Sequence, residues 1–166
     1  VKRPPQDRPS ARGLRIAVLR ARFNSEVTEG LLTGALAALR EMGARDSAVA
    51  VHDVPGALEL PVAAAAAARS GRFDAVVALG AVIRGETDHY EHVAREAATG
   101  LAAVARETGV PVGFGVLTVR EERQATARAA AGPDNKGAEA ARAAVATVSV
   151  LRALGGCGPR SRRRPR

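Results

Sequence analysis

Apolar residues along the chain group in two ways. Compact runs at Leu14–Leu19, Ala48–Val54, Ala75–Ile83 and Val112–Leu117 have the length and the branched or small apolar content of buried β-strands. Between these runs, apolar positions recur at helical spacing. The clearest case is Val27, Leu31, Leu32, Ala35, Leu36, Leu39 and Met42, a stripe that Ser25 precedes as the expected cap and Gly43 ends. Further helices are predicted over Glu59–Ser70, Asp88–Thr108, Glu121–Ala131 and Lys136–Leu154. The alanine tract Ala63–Ala68 falls inside the first of these, where high helix propensity and small size favour a closely packed helix.

Strict alternation of strand and helix predicts an α/β fold, with a four-stranded parallel sheet joined by right-handed crossovers and covered by helices on both faces. A chain of 166 residues with 46% hydrophobic content suits one such domain. Residues 1–13 and 155–166 are rich in Pro, Gly and Arg and bury too little to repay ordering, so disordered tails are expected on a domain spanning 14–154.

The net charge of +8 suggests a polyanion partner until it is divided along the chain. Residues 1–15 carry five basic groups and one acid, and residues 155–166 carry five arginines and no acid, which leaves the segment between them at −1. Nucleic-acid binding would therefore rest on the tails alone. Cys157 is the single cysteine, so no disulfide framework is available and a reducing cytoplasm is expected. The N-terminal sequence has no apolar segment of signal-peptide type, and no apolar run reaches membrane-spanning length.

In open parallel sheets ligands bind beyond the carboxyl ends of the strands. Those ends here carry Arg22-Phe23-Asn24, Val54-Pro55-Gly56-Ala57-Leu58-Glu59, a run from Gly80 to Tyr90, and Phe114 ahead of Thr118. The chain's aromatic residues are Phe23, Phe73, Tyr90 and Phe114, and three of them lie in these segments. One ring at a strand end is usually core; the set suits stacking on a flat heterocycle.

His89 follows Gly85-Glu86-Thr87 at the start of a helix, where an imidazole can move protons near neutral pH, although a solvated histidine is the commoner use of such a position. The turn itself offers unpaired N–H groups to an anion. Arg128 and Lys136 flank a Gly-Pro-Asp-Asn turn and are candidate phosphate ligands; alone, each reads as a solvated helix residue. His92 lies near His89 without a third ligand, so no zinc site is read. His52, inside the second strand, is expected to be a satisfied structural histidine. No Gly-x-Gly-x-x-Gly or Walker loop is present.

Together, Arg22-Phe23-Asn24, the segment from Val54 to Pro61, Gly80-Ala81-Val82-Ile83-Arg84-Gly85-Glu86-Thr87-Asp88-His89-Tyr90, Phe114-Gly115-Val116-Leu117-Thr118 and Asn135-Lys136-Gly137 resemble the lumazine synthase family over roughly residues 14 to 154. The resemblance implies a flavodoxin-like three-layer α/β/α fold. It implies condensation of 5-amino-6-(D-ribitylamino)uracil with L-3,4-dihydroxy-2-butanone 4-phosphate to 6,7-dimethyl-8-ribityllumazine, releasing phosphate and water, with no cofactor and no metal. In it Phe23 stacks on the pyrimidine; Ala57 and Glu59 hold the ribityl chain partly through backbone groups; Ala81, Val82 and Ile83 present backbone groups to the ring; and Asn24 and Leu58 are further substrate-binding residues. Gly85, Glu86 and Thr87 with Arg128 hold the phosphate, His89 moves protons, and Phe114 and Lys136 come from a neighbouring subunit.

The implied assembly is a homopentamer, with a 60-subunit icosahedral shell expected from the compact turn between Arg128 and Lys136. Two positions depart from the family pattern: Ala57 stands where many members have Ser, and Arg123 where an acid is common before Gln124-Ala125. Two other functions compete: a flavodoxin-like module that binds a flavin or phosphorylated ligand without turnover, and a packaging shell whose basic tails hold nucleic acid.

Overall fold

A computed structural model describes residues 9–155. Four strands, β1 (Ile16–Ala21), β2 (Val49–Val54), β3 (Ala75–Ile83) and β4 (Val112–Val119), alternate with helices α1 (Ser25–Glu41), α2 (Leu60–Arg69) and α3 (His89–Thr108), and α4 (Glu122–Ala129) and α5 (Lys136–Ala153) follow. The sheet is parallel throughout, in the order β2-β1-β3-β4. This is the expected three-layer α/β architecture.

The period of two along the strands divides the core. Ile16, Val18, Val77 and Leu79 face α1, α4 and α5, while Ala17, Leu19, Val76 and Ala78 face α2 and α3. The first eight residues of β3 are buried and none carries a polar side chain, as the centre of a doubly covered parallel sheet requires. Each large aliphatic side chain buried there contributes about 1.5–3 kcal/mol.

Several expectations need correction. β1 starts two residues late and runs on through Arg20, because Leu14 is buried in the preceding turn and Arg20 is matched across the sheet by Asp53. Asn24, not Ser25, occupies the cap position of α1, and its side chain makes no capping bond. β2 is not a buried strand: it is the sheet edge, outside both helical layers, and Val51, His52 and Asp53 are exposed. His52 is therefore not a core histidine. The chain already packs at Ala11, which is fully buried and donates its N–H to the Met42 carbonyl at 2.8 Å, so residues 11–13 are not a free tail. Residues 1–8, Cys157 and the Arg160–Arg166 run lie outside the described residues.

The helical layer of α1, α4 and α5 is held by close backbone approach. A Cβ on Gly137 would stand 1.9 Å from the Leu31 carbonyl oxygen, so α5 can reach α1 only with glycine there. Gly137→Ala improves intrinsic helix propensity by about 1 kcal/mol, but the contact is with backbone and cannot yield cheaply. Overpacking of this kind costs about 1–3 kcal/mol or more. A lowered denaturant midpoint is the expected result; an unchanged or higher midpoint would show that α1 and α5 separate freely.

Arg20 and Asp53 form a forked pair between β1 and β2, Nε to Oδ1 at 2.9 Å and Nη2 to Oδ2 at 2.7 Å. The hydrogen bond from Arg20 holds the Asp53 carboxyl below its ordinary value of 3.8, with the charges of Arg20 and Arg22 adding to it and burial opposing. The stability from this depressed pKa is complete above about pH 3.8 and is lost as pH falls through the lower folded-state value. Because the Asp53 side chain is 38% exposed, Asp53→Asn should cost less than about 1 kcal/mol at pH 7. Melting curves of the two proteins should converge in acid below that value.

Candidate functional site

The strand order reverses direction between β1 and β3, and at such a switch point the loops leave the sheet on opposite faces and open a crevice. Pairing continues past the strands here: the Arg22 N–H donates to the Val54 carbonyl at 2.9 Å and the Phe23 N–H to the Pro55 carbonyl at 3.1 Å. Asn24 then turns the chain into α1 with φ 57°, the sole positive φ among the described non-glycine residues. Asparagine tolerates this left-handed conformation better than most residues. Its Nδ2 donates to the Ala81 carbonyl at 2.9 Å, tying the β1 loop to β3 across the switch point. Phe23 is left 72% exposed at the crevice.

The second wall is the turn after β2, where the Gly56 N–H donates to Glu59 Oε2 at 2.9 Å and fixes the carboxylate beside the crevice. Ala57 is buried beneath it and Leu58 is half exposed. The third wall is the end of β3 with the open turn at residues 84–88, after which His89 begins α3. No side chain caps this twenty-residue helix, since Asp88 makes no capping bond. Its first-turn N–H groups and dipole therefore favour a negative group in front of the turn.

The resulting cleft has a volume of about 370 Å³. Phe23, Leu58, Val82, Ile83, Tyr90 and Val93 give it apolar walls, and Asn24, Glu59, Thr87 and His89 bring polar groups to it; Ala57, Ala81 and Gly85 also line it. Flat apolar walls with a few convergent polar groups suit a planar heterocycle carrying hydroxyls. Among the described residues no lysine or arginine lines the cleft.

The remaining predicted residues lie elsewhere. Phe114, Arg128 and Lys136 line a second groove, of about 520 Å³, along the β4 edge of the sheet together with Thr118 and Glu139. Phe114 is 47% exposed there. Arg128 Nη1 donates to the Gln124 carbonyl at 3.0 Å, and Lys136 Nζ pairs with Glu139 Oε2 at 2.5 Å. The expected grouping of Arg128 with Gly85-Glu86-Thr87 is thus not found within one chain, because α4 packs on α1 and β4 instead of over the β3–α3 turn. Glu86 is exposed and lines neither groove. Arg123 is paired with Glu121, so its departure from the family pattern is neutralised locally.

Sequence reading missed Val93 and Glu139 as lining residues. Both carried a signal: Val93 is one helical turn beyond His89, and Glu139 is at i+3 from Lys136. Tyr90 was visible as a scarce aromatic but had no role assigned.

No described helix is long and apolar enough to cross a membrane. Among the described residues no three His, Cys, Asp or Glu side chains gather as metal ligands. Residues 13–152 match the family model described as 6,7-dimethyl-8-ribityllumazine synthase. The match runs from the turn before β1 into the last turn of α5 and takes in both grooves. The chain belongs to the 6,7-dimethyl-8-ribityllumazine synthase family and is a substrate-binding, oligomer-forming transferase of riboflavin biosynthesis.

Proposed function

We propose that the active site is composite: the cleft at the carboxyl ends of β1, β2 and β3 on one subunit, closed by the β4-edge groove of a second copy. The carrying observation is the separation of charge from cleft. One substrate, the butanone phosphate, is an anion, yet among the described residues no lysine or arginine lines the cleft, while Arg128 and Lys136 stand beside Phe114 in the β4-edge groove of the same chain. Heterologous contact between two edges of identical subunits closes naturally into a ring, and a pentamer fits this reading. The short connection between α4 and α5, residues 130–135, favours further closure of rings into a shell. A cytoplasmic location accords with the pathway.

In this site Phe23 stacks on the pyrimidine of the ribitylaminouracil. Glu59 and the backbone of Ala57 and Leu58 bind its ribityl chain, and Ala81, Val82 and Ile83 present backbone groups to its ring. Asn24 contributes through its backbone, since its amide is engaged by Ala81. Ala57 supplies no hydroxyl, so the ribityl chain loses one side-chain hydrogen bond there. The phosphate of the butanone lies at Gly85, Glu86 and Thr87 before α3, and Arg128 and Lys136 of the second copy neutralise it. His89 carries protons as the amine adds to the ketone, water leaves to form the imine, and phosphate is eliminated. Ring closure with loss of a second water gives the lumazine. Every step is addition or elimination, so positioning of two substrates and one proton carrier suffices.

Purified protein mixed with both substrates and followed by lumazine fluorescence should exceed the no-protein rate by orders of magnitude. His89→Ala should lower kcat about 100-fold while leaving substrate affinity nearly unchanged. Arg128→Ala should raise KM for the butanone phosphate about tenfold and spare that for the uracil. A wild-type rate no higher than the control, with ligand still bound, would instead establish a non-catalytic binding module.

Sedimentation of the same protein separates pentamer from shell. Sixty-subunit particles are expected, and a species of five subunits at all concentrations would contradict the shell.

A further inference from the structure

We infer that Asn135 is a positioning residue for Arg128 and Lys136, and so sets recognition of the phosphorylated substrate without touching it. The inference rests on the proposed role of the β4-edge groove. Asn135 is 2% exposed, and with Thr28 it makes up the buried polar side chains of the described chain. Its hydrogen bonds account for a polar side chain standing in an apolar layer. Nδ2 donates to three carbonyls, Ala129 at 2.8 Å, Gly30 at 3.0 Å and Ala130 at 3.1 Å, and Oδ1 accepts from the Ala138 N–H at 3.0 Å.

One amide therefore joins three elements. It ties off the last carbonyls of α4 one and two residues after Arg128, caps α5 from the position just before Lys136, and anchors both to α1 through the Gly30 carbonyl. Arg128 directly precedes Ala129, whose carbonyl the amide holds, and Lys136 directly follows Asn135 itself. A buried amide with its donors and its acceptor all engaged favours one arrangement of its partners, because losing it leaves a carbonyl or N–H unpaired in an apolar surrounding. The neighbourhood is shaped around it: a Cβ on Gly34 would lie 2.0 Å from Oδ1. Backbone bonds at the junction run from the Ala130 N–H to the Thr126 carbonyl at 2.9 Å and from the Asn135 N–H to the Gly132 carbonyl at 3.3 Å, and neither of these two joins α4 to α5 or to α1.

Asn135→Ser separates positioning from capping. Serine retains a cap oxygen for α5 and removes the donor that holds α4 and α1. The expected result is a folded protein whose KM for the butanone phosphate rises about tenfold, with KM for the ribitylaminouracil little changed and His89-dependent turnover preserved at saturating ketone. Asn135→Ala should show the same selectivity with an additional loss of melting temperature.

A lowered melting temperature with unchanged KM for the phosphate substrate, or an equal rise in KM for both substrates, would overturn the inference. Arg128→Ala and Lys136→Ala run in parallel keep the two readings apart. If these variants raise KM for the phosphate and Asn135→Ser does not, positioning fails and the groove stands; if none of them does, the groove itself is not the phosphate site. Should the serine variant not fold, Gly34→Ala displaces the amide without removing it and carries the same expected and overturning outcomes.

Discussion

β3 passes between two helical layers with no polar side chain along its length, and this burial constrains where chemistry can occur. A charged or hydrogen-bonding side chain in the middle of the sheet would need a partner that neither layer supplies. Polar function is thereby pushed to the strand ends, where loops leave the core and meet water. The order β2-β1-β3-β4 opens the loops at one such end, and the Asn24 amide pins the opening by bonding to the Ala81 carbonyl. Phe23, Glu59 and His89 converge on the cleft because the loops that follow β1, β2 and β3 leave the sheet at its carboxyl end.

The same constraint operates on the other edge, with a different outcome. β4 has no outer strand, so Phe114 and Thr118 are exposed and the cations of α4 and α5 gather beside them. Asn135 is, with Thr28, a polar exception inside the layer, and it stands in sequence between the two cations with its amide nitrogen and oxygen both hydrogen-bonded. In the proposed composite site, the strand-end cleft and the β4-edge groove are parts of one site that come together when copies meet.

Much of this was legible in the sequence. Four strands, five helices and their parallel arrangement follow from apolar periodicity, because buried strands and amphipathic helices leave different spacings. Errors fell where tertiary context overrides the local pattern. Leu14 looks like a strand residue because it is buried, although it is buried in a turn. Arg20 looks like a strand end until its partner Asp53 is known. Val49–Val54 reads as buried, since an edge strand that is exposed in one chain has the composition of an interior one. The cleft residues were legible as a run of strand-end motifs, and their roles came from family resemblance. The separation of Arg128 from the Gly85-Glu86-Thr87 turn was not legible, because spacing along a chain does not say which side of a sheet a later helix covers. Nor was the hub role of Asn135, whose contacts span up to 105 positions of sequence.

A shared site is tested most directly by complementation. His89→Ala and Arg128→Ala proteins, which at low ketone phosphate should keep about 1% and about 10% of wild-type activity, are dissociated together, allowed to reassemble, and assayed against wild type taken through the same treatment. In a random ring with one donor edge per cleft, about a quarter of the sites pair an intact His89 cleft with an intact Arg128 groove. Recovery of about that fraction of wild-type activity is the predicted result. Activity that stays at the average of the two variants would contradict a site built from two chains.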